Sequence, residues 1–132
     1  MSESKKKKVL LVEDDKDLSD VLKIRLQKTG YDVVVLFDGI ETVKTAKAEN
    51  PDLILLDIFM PEMDGFTALK SLKAEKSPSG KSGKPISDIP TIVMTGKAPM
   101  MEEMVRFEGA CEFMTKPVDI NVLMGRIEQI LK

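Results

Sequence analysis

Apolar residues fall along this chain in two alternating patterns: short continuous runs, and longer stretches in which they recur every three or four positions. Val9–Val12, Leu53–Leu56 and Thr91–Met94 form three such runs, the pattern expected of strands buried on both faces. Tyr31–Phe37 is dense in valine and predicts another strand, and Cys111–Thr115 predicts a fifth, more mixed one. Between them, Leu18, Val21, Leu22 and Leu26 mark an amphipathic helix over 16–29, stopped by Gly30. Ile40, Val43 and Ala46 mark a second helix before Asn50-Pro51, and Phe66, Leu69 and Leu72 a third after Asp64-Gly65. Pro99 suits the first turn of a fourth, carrying Met100, Met101, Met104 and Phe107. Asp119 is the expected N-cap of the fifth, with Val118 and Leu123 spaced as a hydrophobic staple. Strands and helices alternating five times predict an α/β domain, a parallel sheet with helices on both faces.

One segment interrupts this rhythm. Residues 76–90 (KSPSGKSGKPISDIP) are rich in Ser, Gly, Lys and Pro, lack periodicity and predict a long mobile loop. Gly80-Lys81-Ser82 resembles the tail of a phosphate-binding P-loop. Glu75 stands where that motif needs its first glycine, so a surface insertion is the expectation. At the start of the chain, 1–7 is polar and expected to be a disordered tail. Lys5–Lys8 carry no interleaved aromatic residue and read as a solvated flank of the first strand.

Composition narrows the chemistry. A chain of 132 residues suffices for one domain with its own core. Twenty Lys+Arg against 22 Asp+Glu leave a formal charge of -2, so no global basic field invites nucleic acid. No apolar run approaches the roughly 18 residues of a membrane span. The lysine-rich start leads into too short an apolar stretch for a signal peptide, and a cytoplasmic location is the expectation. The lone Cys111 cannot form an internal disulfide and reads as a small buried hydrophobe. With no histidine in the chain, His-based catalysis and most zinc sites are excluded. Carboxylates, lysines and hydroxyls must carry any chemistry.

Such residues stand where the predicted strands end. Val9–Val12 runs into Glu13-Asp14-Asp15, Leu53–Leu56 into Asp57, Thr91–Met94 into Thr95-Gly96, and the fifth strand into Lys116-Pro117. In an open parallel sheet these ends share the edge where ligands bind. Asp15 is positioned to cap the first helix, whereas Pro61 and several loop residues separate Asp57 from the next one. Glu13, Asp14 and Asp57 gathered there repel one another and require a cation. Hard oxygen ligands without histidine or thiolate favour Mg²⁺, which bridges carboxylate to phosphate. An aspartate beside Mg²⁺ is a nucleophile for a phosphoryl group, with Lys116 and the Thr95 hydroxyl placed to pair with phosphoryl oxygens.

The motifs VLLVEDD, LILLDIFMPEMDGF, TIVMTG and FMTKP, in this order and spacing, make the chain resemble the receiver domain of two-component response regulators. The resemblance runs from about Lys8 to Leu131, so the domain is expected over 8–132. It implies a flavodoxin-like three-layer sandwich with five parallel strands in the order 2-1-3-4-5 and five helices. It also implies Asp57 as phosphoacceptor, fed by the phosphohistidine of a histidine kinase or histidine phosphotransfer protein. Glu13, Asp14, Asp57 and the main-chain carbonyl of Phe59 would bind Mg²⁺, Asp14 more directly than Glu13. Thr95 and Lys116 would hold the phosphoryl group, and Lys116-Pro117 would be a cis peptide. Thr95 and Phe113 would act as the switch pair, changing the surface of the fourth helix, fifth strand and fifth helix for a downstream effector protein. Phe59 and Lys97 would flank the approach of hydrolytic water to the phosphoryl group. Such a domain phosphorylates and dephosphorylates itself and is otherwise no enzyme.

The chain ends at Lys132, directly after the fifth predicted helix. A stand-alone receiver is expected ahead of a receiver cut from a larger regulator or hybrid kinase, with neither nucleic acid nor membrane as a direct partner. A phosphorelay carrier is an alternative within the same class. An aspartate-nucleophile phosphatase usually needs a second aspartate two residues after the nucleophile, and Phe59 stands there. A flavin module would meet Glu13-Asp14-Asp15 where it needs donors for phosphate.

Overall fold

The computed structural model describes residues 6–57, 65–76, 84–96 and 100–132. Its strands are β1 (Lys8–Val12), β2 (Asp32–Leu36), β3 (Leu53–Asp57), β4 (Thr91–Thr95) and β5 (Glu112–Thr115). The helices are α1 (Lys16–Thr29), α2 (Thr42–Glu49), α3 (Gly65–Ala74), α4 (Met100–Phe107) and α5 (Ile120–Leu131). All strand pairings are parallel, in the order β2-β1-β3-β4-β5. This is the flavodoxin-like order, and the ends of β1, β3, β4 and β5 share one edge.

Strand alternation sorts the side chains into two cores. Val9, Leu11, Leu53, Leu55, Ile92 and Met94 face α1 and α5, meeting Leu22, Leu26, Leu123 and Ile127. Leu10, Val12, Ile54, Leu56, Val93 and Phe113 face the other way, onto Ala46 of α2, Leu69 and Leu72 of α3 and Val105 of α4. The central strands β1, β3 and β4 are therefore apolar at nearly every position, while β2, at the sheet edge, is only half-buried. No helix among the described residues is long and apolar enough to cross a membrane.

Local chemistry sets the helix ends. The Asp15 side chain accepts from the backbone N–H groups of Asp17 and Leu18, capping α1. Gly30 ends that helix at φ 108, a left-handed conformation that costs glycine little. Asp119 caps α5 by accepting from Val122 N, and Val118 and Leu123 join the same core as the staple requires.

Several expectations need correction. The stretch 76–90 is not a mobile loop throughout: Ile86–Asp88 forms a 3₁₀ turn, and Ile86 and Ile89 are buried in the α2–α3–α4 core. Lys73 Nζ clamps this turn by donating to Ser87 O at 3.2 Å and Ile89 O at 2.9 Å. Two isoleucines spaced by three were enough to anchor it. Gly80-Lys81-Ser82, most of the tail 1–7, Phe59, Lys97 and Pro99 lie outside the described residues. Cys111 is exposed, because it precedes β5 at the corner after α4. Ile40 lies before α2 and is exposed, as are Val21, Met104 and Phe107, the last at 91%. The side chains of Met100 and Met101 are not among those described.

Candidate functional site

Glu13 extends the β1 ladder by one bond, its N–H donating to Leu36 O at 2.9 Å, and is fully buried. Asp57 ends β3 with only 3% exposure, and Asp14 lies between Glu13 and the α1 cap. One carboxylate oxygen from each of Glu13, Asp14 and Asp57 falls within 4.8 Å of the others. Lys116 reaches this group from the end of β5, across the cis Lys116-Pro117 peptide. Its Nζ donates to Glu13 Oε2 at 2.9 Å and to Asp57 Oδ2 at 3.1 Å. Glu13 Oε1 lies 2.8 Å from the same nitrogen as an ion pair without hydrogen-bond geometry. Asp15 N–H donates to Glu13 Oε2 at 3.1 Å.

Burial dominates the electrostatics of Glu13. It pushes the pKa up to about 7, against the lowering effect of Lys116 and the Asp15 N–H, with the Asp57 charge adding to the rise. Burial acts oppositely on Lys116, but its hydrogen bonds to Glu13 and Asp57 outweigh that and raise its pKa above the usual lysine value. Hard oxygen donors at this spacing suit a Mg²⁺ ion, and the lysine supplies the compensating charge that such a cluster requires.

Thr95 is fully buried at the end of β4, one residue past Met94, the register partner of Asp57. Strand alternation puts Thr95 on the same face as Val93, whose partner on β5 is Phe113. Phe113 is buried in the core that contains Val105 of α4. Asp57, Glu13, Asp14, Thr95 and Lys116 thus come to one sheet edge from four strand ends, with Phe113 behind Thr95. Beside Lys116 opens a cavity of about 450 Å³, lined by Asp15, Leu18, Lys116, Pro117 and Val118. Sequence reasoning did not anticipate this apolar pocket; the FMTKP-V stretch was its only signal. A smaller cavity of about 190 Å³, between Asn50–Asp52 and 84–90, lies at the opposite sheet edge, remote from the carboxylates.

Residues 9–128 match the response regulator receiver domain family, and the chain belongs to that family. Among curated relatives it is similar to the DNA-binding dual master transcriptional regulator RpaA of Synechocystis sp. The two are 32% identical over 126 residues, which make up 95% of this chain and 49% of RpaA. The chain spans about half the length of the curated relatives it matches. Among solved structures it resembles the receiver domain of the Francisella response regulator 1452, with TM-score 0.82 and 27% identity, covering 95% of this chain and 96% of that one. It also resembles the response regulator TrrA of Thermotoga maritima in complex with Mg²⁺ and BeF, with TM-score 0.78 and 25% identity, covering 95% of this chain and 99% of that one.

Proposed function

We propose that this receiver takes a phosphoryl group from a phosphohistidine onto Asp57 and passes the event to a partner protein through the α4–β5–α5 face. The observation that carries the reading is the Glu13–Asp14–Asp57 cluster with Lys116 Nζ bonded to two of its members. Glu13, Asp14 and Asp57 would hold Mg²⁺, with the Phe59 carbonyl as the ligand the family resemblance adds. The ion, when bound, neutralises charge on the transferring group. The Asp57 carboxylate attacks phosphorus, the P–N bond to the donor imidazole breaks, and the imidazole leaves with that electron pair. Lys116 supplies positive charge to the phosphoryl oxygens and the Thr95 hydroxyl donates to one of them, both set by strand ends before the donor arrives.

The cavity lined by Leu18, Pro117 and Val118 adjoins Lys116, so a helical donor presenting its histidine has an apolar seat beside the reaction centre. That donor is a histidine kinase or histidine phosphotransfer protein, and the exchange is cytoplasmic. The chain turns over no external substrate; it carries out self-phosphorylation and autodephosphorylation only. The DNA binding named for RpaA belongs to a relative about twice as long as this chain.

The test is incubation with Mg²⁺ and acetyl phosphate, followed by intact-mass measurement. One base-labile phosphoryl adduct is expected, absent in Asp57→Ala. Persistence of the adduct in that variant overturns the assignment.

A further inference from the structure

Of the α4 side chains described, only that of Val105 is fully buried; Met104 and Phe107 face solvent. The structure supplies an alternating chain of charges across three elements. On α4, Arg106 Nε donates to Glu102 Oε2 at 2.9 Å, and Arg106 Nη2 lies 3.7 Å from Glu112 Oε2 on β5. The other Glu112 oxygen, Oε1, accepts from Arg126 of α5, Nε at 3.0 Å and Nη2 at 2.8 Å. Glu112 is the shared anion, with a side chain only 20% exposed.

We propose that Glu112 is an ionic latch that holds α4 against β5 and α5 in the unphosphorylated chain and opposes its rearrangement. The second half of this statement rests on the reading of the α4–β5–α5 face as the switching surface. Thr95 ends β4 and α4 is the next element along the chain, so the phosphoryl site and the latched helix are separated by only a few residues. Displacement of α4 stretches the 3.7 Å Arg106–Glu112 pair, while Arg126 remains tied to the strand. Because Arg106 and Arg126 are each about two-fifths exposed, the latch is weak and strongly screened by salt. A weak latch suits a switch, whose two states must lie close in free energy.

Hydrogen exchange of the α4 amides in the full chain tests the first half. At low salt, Glu112→Gln is expected to accelerate exchange in α4 about threefold, the scale of an exposed ion pair, and to leave β1 and β3 unchanged. Raising salt to about 1 M, where the Debye length is about 3 Å, should do the same to the wild type and add less in the variant, which keeps only the Arg106–Glu102 pair within α4. Arg106→Gln, at a more exposed side chain, provides a second route to the same release. Unchanged α4 exchange in both variants, or equal acceleration in β1 and β3, overturns the latch.

A beryllofluoride titration followed by NMR at α4 and Phe113 tests the second half. The half-saturating concentration should fall about threefold in both variants. An identical midpoint in wild type and variants overturns opposition to the switch. If wild-type α4 and Phe113 do not respond to beryllofluoride at all, it is the reading of the switching face that fails, while the exchange result still decides the latch.

Discussion

Lys116 Nζ sits 3.1 Å from Asp57 Oδ2 and 2.8–2.9 Å from both oxygens of Glu13, so a single ammonium compensates two buried carboxylates drawn from different strands. Removing one partner of such a group strands the others in low dielectric, where isolated charge is costly. Lys116→Met should therefore destabilise the metal-free protein by about 2–3 kcal/mol, at or below the usual range for buried pairs because the lysine is partly exposed. Mg²⁺ should recover much of that loss by taking over the compensating role. Urea denaturation with and without the ion measures both. Equal stability of variant and wild type without Mg²⁺ would show that the carboxylates are solvated after all.

Glu13 makes the same site sensitive to pH. Burial raises its folded pKa from 4.5 to about 7, so between those values the folded chain holds a proton that the unfolded chain has released. The sign follows: this contribution to stability is complete below about pH 4.5 and is lost as pH rises through 7. The metal-free melting temperature should then fall between pH 5 and pH 8 in the wild type relative to Glu13→Gln, whose site cannot titrate. Mg²⁺ should stabilise the wild type more at pH 8 than at pH 6, because binding requires the carboxylate. Calorimetry at the two pH values, with and without Mg²⁺, gives both comparisons. A parallel pH dependence in the two proteins would contradict the assignment.

Ile86 tests how the segment before β4 contributes to the fold. It is 1% exposed and packs with the α2–α3–α4 core. Ile86→Ala should cost about 2–4 kcal/mol, the range for a buried aliphatic truncation. A loss below about 0.5 kcal/mol, typical of a surface site, would return this stretch to the status of a loose loop.

That segment also marks the limit of what the sequence disclosed. The strand ends were legible because a buried strand is an unbroken apolar run, and its first polar residue necessarily falls at the sheet edge. Glu13, Asp57 and Thr95 could be located in this way, whereas Lys116 follows the mixed run Glu112–Thr115 and was placed by the alternation of strands and helices that precedes it. The anchoring of Ile86 and Ile89 was not legible, since two isoleucines among Ser, Gly and Pro make no periodicity. Lys73, on the preceding helix α3, ties the same turn through bonds that the spacing of the isoleucines does not reveal. Ile40, expected on the second helix, lies before it, and Phe107 is on the fourth helix as expected yet faces solvent. Helical spacing marks a face, but nothing local says whether that face meets the sheet or solvent, and 91% exposure of Phe107 is a tertiary outcome.

Asp14 and Asp15 are adjacent carboxylates with separable tasks. Asp15 Oδ1 accepts from Asp17 N at 3.0 Å and Leu18 N at 3.2 Å, so its oxygen is committed to the start of α1. Asp14 belongs instead to the cluster with Glu13 and Asp57. Asp15→Ala should cost about 1 kcal/mol of stability through the lost cap, while Mg²⁺ affinity and acetyl-phosphate labelling stay close to wild type. Asp14→Asn should do the reverse, leaving stability nearly intact and weakening Mg²⁺ binding at least tenfold. Asp15→Asn refines the comparison, because asparagine still accepts the two backbone N–H groups and should restore the cap without restoring charge. Isothermal titration with Mg²⁺, paired with urea denaturation of each variant, separates the tasks. If Asp15→Asn bound Mg²⁺ as poorly as Asp14→Asn, Asp15 would have to be counted among the groups that hold the ion, and its capping bonds would be incidental.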